Sequence, residues 1–389
     1  MAHYNLLLLL FRGGRMFDPD QLPELKSLVR QATRGDSGLL DEVIRDVALL
    51  RPVTTIQPRT INSISLVASD GGNNRLEFNP FSLQVVRVVD TFGDELFLDV
   101  ISPSTDTATL GQRHLDDPAS PLGRMMRDLG ASALGQLSPF IPAGPKSGRW
   151  PLVYRDLCEW AVLYDLVCHE RWGSDTLIIR DGLLRTRIFA GDLFVRLYGL
   201  MKAAIERKRR EHKRQVFLVG IAKHSRIIER YRLAMAVEEV FPAGRACYAP
   251  VPPELQVKVY DLAEYVRLAG DDDVGKEKPR FNMGAMYLVR FGQRAFDPVW
   301  TMDLLQFQAP QAQQVFGSLL ADAEVGFPVP CYPHCLQEAD RYAQVVDLDL
   351  VIMQSALEEA VREQIRADRR HVFDAQRLSP ADPAAGRYQ

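Results

Sequence analysis

Three short apolar runs each end on a charged residue. "SLVASDGG" at 65–72 leads to Asp70, "LIIRDGLL" at 177–184 to Asp181, and "FLVGIAKHS" at 217–225 to Lys223. Runs of this length, rich in Ile, Leu and Val, read as buried strands. A helical stretch at roughly 191–213 separates the second run from the third. Strands alternating with helices argue for an open α/β sheet, and such sheets carry their sites at the carboxyl ends of the strands. The expected fold is therefore α/β, with a central mixed sheet flanked by helices.

The rest of the chain fits around that frame. Residues 20–50 read as helical, with Leu22, Leu25, Leu28 and Val29 at helical spacing. "TINSISLVASDGG" reads as a strand that ends at Asp70, and "SLQVVRVVDTFGDELFLDVIS" as a hairpin turning at Thr91–Asp94. Residues 102–149 are rich in Pro, Gly, Ser and Asp and predict an irregular insertion with a short helix. "LVYRDLCEWAVLYDLVCHERW" predicts an amphipathic helix, and 225–240 another. "AMYLVRFG" and "VWTMDLL" predict a strand pair, and 336–366 reads as helical. The last twenty residues read as disordered. The division expected is an N-terminal helical or docking segment over 1–55, one domain over 56–366 with its insertion at about 102–149, and a tail over 367–389.

Bulk properties exclude several classes. With a formal charge of -3 over 389 residues, there is no global basicity. The five cysteines, at 158, 168, 247, 331 and 335, match no zinc spacing and suit reduced thiols in a cytoplasmic protein. The run "NLLLLLF" is too short to span a membrane. It reads as a buried first element or as a docking segment. No "GxxxxGK[ST]" phosphate loop is present, so a motor activity would have to come from a partner. "GDDDVGKEK" at 270–278 lacks the spacing of a calcium loop and reads as exposed.

Carboxylates gathered at strand ends repel one another unless a cation neutralises them, and hard divalent ions prefer oxygen ligands. A pair of such ions can hold a phosphodiester and activate water, and a lysine beside them stabilises the extra charge on phosphorus. An Asp-Gly pair is also an ordinary turn, so each run alone is weak.

Six ordered blocks, "ASDGG", "RDLCEW", "LIIRDGLL", "VGIAKHSR", "VWTMDLL" and "YPHCLQEADRYA", together resemble the NurA nucleases, which work with HerA-type hexameric ATPases. The resemblance covers about residues 60–360. It implies an RNase H-like core and a manganese-dependent DNA nuclease with 5′-3′ exonuclease and single-strand endonuclease activities. Carried over by position, Asp70, Glu159 and Asp181 hold Mn2+ or Mg2+, and Lys223 supports the transition state. Glu170 is a less well matched rival to Glu159, and Leu183 stands where the family usually has Ser. In the last block the family's His is replaced by Asp340, which is the expected fourth ligand, with His334 as its alternative.

Other residues are candidates for nucleic-acid contact. Arg180 and Arg185 flank Asp181, Arg226 and Arg230 follow Lys223 at helical spacing, and Tyr332 is a candidate for stacking on a base. The segment "KAAIERKRREHKR" is either a DNA-tracking surface or a solvated helix end. The reading is thus a metal-dependent DNA nuclease, as a homodimer with a HerA-type ATPase, in DNA repair or anti-phage defence. The alternative is a weakly catalytic subunit that regulates the ATPase, and an RNase H-fold enzyme acting on RNA is a third.

Overall fold

The computed structural model describes residues 21–59, 64–78, 80–141, 150–260, 265–266, 280–344 and 347–377. "NLLLLLF" and "GDDDVGKEK" lie outside these. The strands are β1 (Thr54–Thr55), β2 (Ile64–Phe78), β3 (Phe81–Val89), β4 (Glu95–Ile101), β5 (Asp175–Asp181), β6 (Val216–Ala222), β7 (Cys247–Pro250), β8 (Tyr265–Val266), β9 (Arg280–Phe281), β10 (Gly284–Arg290) and β11 (Trp300–Leu305). The helices are α1 (Leu22–Gly35), α2 (Ser37–Val47), α3 (Thr107–Asp116), α4 (Pro121–Leu129), α5 (Leu134–Leu137), α6 (Trp150–Cys168) and α7 (Leu193–Glu211). They continue with α8 (Arg226–Val237), α9 (Pro253–Tyr260), α10 (Ala312–Glu324), α11 (His334–Ala343), α12 (Asp347–Gln364) and α13 (Arg370–Arg377).

One mixed sheet runs in the order β1-β7-β10-β11-β6-β5-β2-β3-β4. Strand β5 lies parallel to β2 and β6, and the other pairings are antiparallel. The expected mixed sheet flanked by helices is present.

Side-chain alternation fixes the layers. Leu177 and Ile179 of β5, with Phe217, Val219 and Ile221 of β6, pack against α10 and α11. Ile178, Val216 and Leu218 point the other way, into a core shared with α6, α7 and the helices of the insertion. On that second side, Met286 and Leu288 of β10 pack with α8, α9 and Val47 of α2.

Four expectations change. Strand β2 does not end at Asp70. Its first part pairs with β5 through Ser69, and from Asp70 to Phe78 it pairs with β3, so Gly71 to Asn74 continue the ladder instead of turning. The described part of the insertion, 102–141, is largely helical, because three of its turn-forming residues are helix caps. Asp106 accepts from Ala108 and Thr109 at the start of α3, Ser120 precedes Pro121 in α4, and Gly130 closes α4 at φ 72. Helix α6 is buried nearly all round, with Trp160 through Tyr164 inaccessible in succession, since the insertion covers its outer side. The described start of the tail is helical as α13, Arg370–Arg377, whose Phe373 is buried 5.4 Å from the ring of Phe78.

All five cysteines are free thiols. Among the described residues no helix is long and apolar enough to cross a membrane.

Candidate active site

The alternation that layers the sheet also sorts the charges at its carboxyl end. Asp181 belongs to the face of Leu177 and Ile179, Lys223 continues the face of Ile221, and Arg180 belongs to the opposite face. On the first face, Lys223 Nζ lies 2.7 Å from Asp181 Oδ2 and 3.3 Å from Asp340 Oδ2. Asp340 is delivered by α11, whose Leu336 and Ala339 are buried against this side of the sheet. His334, at the start of the same helix, lies 4.0 Å from Glu338 and is no part of this cluster. Lys223, Asp340 and Asp181 remain reachable from solvent, with side chains 35%, 40% and 16% exposed.

Asp70 is placed by register. Ser69 pairs with Arg180, so the next position on β2 stands beside Asp181, where β2 leaves β5 for β3. The side chain of Asp70 lies outside the described part of the structure.

On the second face, Arg180 is buried over Trp160, its guanidinium carbon 4.8 Å from the ring centre. Its Nη1 donates to the carbonyl of Leu183 at 2.9 Å, and its Nη2 lies 3.4 Å from Glu159 and 3.9 Å from Asp156. Arg155 approaches Glu159 at 3.3 Å. Glu159 is therefore held across the strand from Asp181, among arginines. Burial pushes its carboxyl up to about 7, Arg180 and Arg155 oppose the rise, and Asp156 and Asp181 add to it. Glu170, past the end of α6, is exposed.

The raised Glu159 carboxyl sets a pH dependence. Its folded pKa exceeds the unfolded 4.5, so its contribution to stability is fully present below about 4.5 and is lost as pH rises through about 7. Glu159→Gln mimics the protonated form. Without metal, the variant should match the wild type near pH 4.5 and exceed it at pH 8 by on the order of 3 kcal/mol. Urea unfolding at the two pH values checks this, and equal stability at pH 8 contradicts it.

Gly182 is required by the chain's own packing. It adopts φ +114, and a Cβ there would collide with the Arg180 guanidinium.

The expected nucleic-acid contacts divide. Arg226 is exposed at the start of α8. Arg230 is paired with Glu42 of α2 at 2.9 Å. Arg180 is committed to Glu159 and Leu183. Arg185 is buried, with bonds of 2.7 and 3.0 Å to Asp303 and 2.8 Å to Gln256, so it cannot meet phosphate in this arrangement. Tyr332 is 1% exposed and packs 4.6 Å from Trp300, with Lys223 Nζ 6.0 Å above its ring. It supports the lysine from below and offers no open face to a base. Asp303 went unrecognised, although a lone charge within the apolar strand "VWTMDLL" was its signal.

Among the described residues no group of three or more His, Cys, Asp and Glu side chains converges as a metal requires. Asp181 and Asp340 do share one cation, the Lys223 ammonium, and Asp70 stands beside them by register. An all-oxygen set around a bound positive charge fits a hard divalent ion.

No protein-family model matches the chain. None of the curated proteins matches it. Solved structures similar to it include the NurA nuclease from Sulfolobus solfataricus, at 12% identity over 90% of this chain and 99% of that one, with a TM-score of 0.41. A structure of NurA bound to dAMP and manganese is 10% identical over 92% and 100% of the two chains, with a TM-score of 0.43. A structure of NurA with manganese is 11% identical over 87% and 98%, with a TM-score of 0.37.

Proposed function

We propose that this chain is a nuclease that hydrolyses DNA phosphodiester bonds with Mn2+ or Mg2+. The observation that carries the reading is the Asp181–Lys223–Asp340 cluster, solvent-accessible at the carboxyl end of the parallel strands. Asp70, Asp181 and Asp340 would hold the ion, with Glu159 as the further candidate. When bound, the ion would supply water activation and charge neutralisation. Lys223, anchored over Tyr332, is the cation placed to meet a phosphate oxygen. The strand order β4-β3-β2-β5-β6, an antiparallel meander followed by two parallel strands, supports the RNase H-like core that the sequence blocks imply.

The finer reading rests on those blocks. It is 5′-3′ exonuclease and single-strand endonuclease activity, in a homodimer that docks on a HerA-type ATPase. A second reading, a weakly catalytic subunit regulating that ATPase, is favoured by two features: Lys223 already occupies the space between two of the carboxylates, and Glu159 is turned to arginines. End-labelled single- and double-stranded DNA incubated with Mn2+, Mg2+ or chelator, with and without the ATPase, separates the two. Cleavage with Mn2+ that chelator stops supports the nuclease, and intact DNA throughout sinks it.

Asp340 allows a sharper test. Asp340→Ala should lower metal affinity and cleavage together, by about 10-fold or more. Asp340→His should recover part of the activity with Mn2+ and less with Mg2+, because imidazole suits the former and oxygen the latter. That rescue should fade as pH falls through the imidazole range. Wild-type cleavage by Asp340→Ala, with His334→Ala inactive, would move the ligand to His334.

A further inference from the structure

The opposite end of the sheet carries a second feature. The last turn of α7 and the turn into β6 hold Arg207, Lys208, Arg209, Arg210, Lys213 and Arg214, with Glu211 as the sole carboxylate among residues 207–214. Lys208 is buried and donates to the carbonyl of Glu170. The other five cations are exposed and, among the described residues, form no ion pair; the pair that α7 does hold is Lys202–Glu206, a turn earlier. Elsewhere some surface cations are compensated, as in Arg87–Glu95, Arg124–Asp165, Lys258–Asp46 and Arg362–Asp374, and the exposed ones that are not, such as Arg171, Arg232 and Arg245, are scattered along the chain and do not form a run of five.

Folding alone does not account for this cluster. A helix C-terminus favours cations only within its last turn. Lys213 and Arg214 lie beyond it. The helix is closed by His212 and Arg214 N–H groups on the Lys208 carbonyl, at 3.0 and 3.4 Å, and Lys213 takes the left-handed conformation at φ 56. Glycine is the usual residue there, and a side chain costs roughly 1–2 kcal/mol. The chain thus places a lysine at a strained position and adds it to a cluster of like charge. Four of the five exposed cations are arginines, whose planar guanidinium suits phosphate oxygens.

We propose that this end of α7 is a second DNA-contact surface, which grips the phosphate backbone without reading sequence. The proposal rests on the nuclease reading for the choice of DNA as ligand. Strand β6 runs from this surface at Val216 to Lys223 at the candidate active site. Seven steps of about 3.3 Å put the two about 23 Å apart. With about 3.4 Å per phosphate along a strand, the grip lies about seven nucleotides from the cleavage point. It would hold long DNA and play no part for very short DNA.

The test combines Arg209→Gln, Arg210→Gln, Lys213→Gly and Arg214→Gln in one chain. Metal-free binding to a labelled duplex, followed by anisotropy over a range of salt, should weaken about tenfold or more. The slope of log K against log salt should fall by about 3 to 4 units. The melting temperature should not fall, since Lys213→Gly removes strain and the other three side chains are exposed. With Mn2+, oligonucleotides of about five nucleotides should be cut as by the wild type and those of about thirty more slowly. If neither protein cuts any DNA but the salt slope still falls, the nuclease reading fails and this surface stands. If affinity and slope equal those of the wild type, the surface is no DNA contact, whatever the cleavage shows.

Discussion

Asp181→Asn should abolish DNA cleavage and leave the fold in place. The expected loss is roughly 10³-fold or more, beyond the 10- to 100-fold that follows when a partner one step removed from a metal is lost. Asp181 closes β5 between β2, where Asp70 follows the last residue paired with β5, and β6, just past whose end Lys223 lies, so charges from three adjacent strands stand side by side there. Asparagine keeps the shape and one oxygen but removes the charge that both a metal and Lys223 use. The effect on stability is small. The Asp181–Lys223 pair is partly exposed, and such pairs contribute about 1 kcal/mol or less. A shift of the melting temperature by no more than about 2 °C is expected. Removing one carboxylate from a crowded acidic site raises stability only where repulsion is not already offset by a cation. Lys223 already pairs with both Asp181 and Asp340, so that relief is small at Asp181 and larger at Glu159, whose carboxyl burial holds near 7. A single-turnover cleavage assay beside a melting curve decides the matter. Full activity in Asp181→Asn removes the site from this end of the sheet.

What could be read in advance follows from how local each signal is. Strands β5, β6, β10 and β11 announce themselves because both of their faces are buried, which leaves near-continuous apolar runs. The hairpin of β3 and β4 shows in its turn residues. Asp181 and Lys223 were visible as charges that stop such runs. Their junction with Asp340, 117 and 159 positions away along the chain, was not; only the family resemblance nominated it. Where local signals misled, a distant partner had overridden them. Gly71 to Asn74 look like a turn and are strand because β3 supplies the ladder. Asp106, Ser120, Pro121 and Gly130 of the insertion look like loop and cap or open α3 and α4. The polar positions of α6 look solvent-facing and are covered by that insertion. Arg185 looks like a phosphate contact beside Asp181, and its true partner stands on another strand.

That partner gives the largest expected effect on stability. Asp303→Ala should destabilise the protein by about 3–5 kcal/mol, the usual result of leaving one charge of a buried pair behind. Asp303 is inaccessible and Arg185 nearly so, at 0% and 4% exposure, and two guanidinium nitrogens meet the carboxylate at 2.7 and 3.0 Å. Tyr260 lies 5.5 Å from the same guanidinium, and Gln256 accepts its remaining Nη2 bond at 2.8 Å. The pair joins the core beside α6 and α7 to the core beside α8 and α9. It also fixes the path of the chain after Asp181. The segment Gly182–Leu184 crosses β6 at Gly220, whose register partner on β11 is Asp303, and any side chain at Gly220 would strike the Gly182 carbonyl. Arg185 therefore anchors the loop whose first residue follows the candidate metal ligand. Breaking the pair should loosen that loop, so Asp303→Ala should also weaken Mn2+ binding. A matched apolar pair, Arg185→Met with Asp303→Leu, should regain most of the stability, because neither side then buries a charge. Urea unfolding of the single and double variants gives the energies, and a metal titration gives the loop's part. If the single variant unfolds at the wild-type urea concentration, the pair contributes nothing. If the double variant regains stability while its Mn2+ affinity stays low, the ion pair acts on the site through the Gly182–Leu184 path and not through global stability.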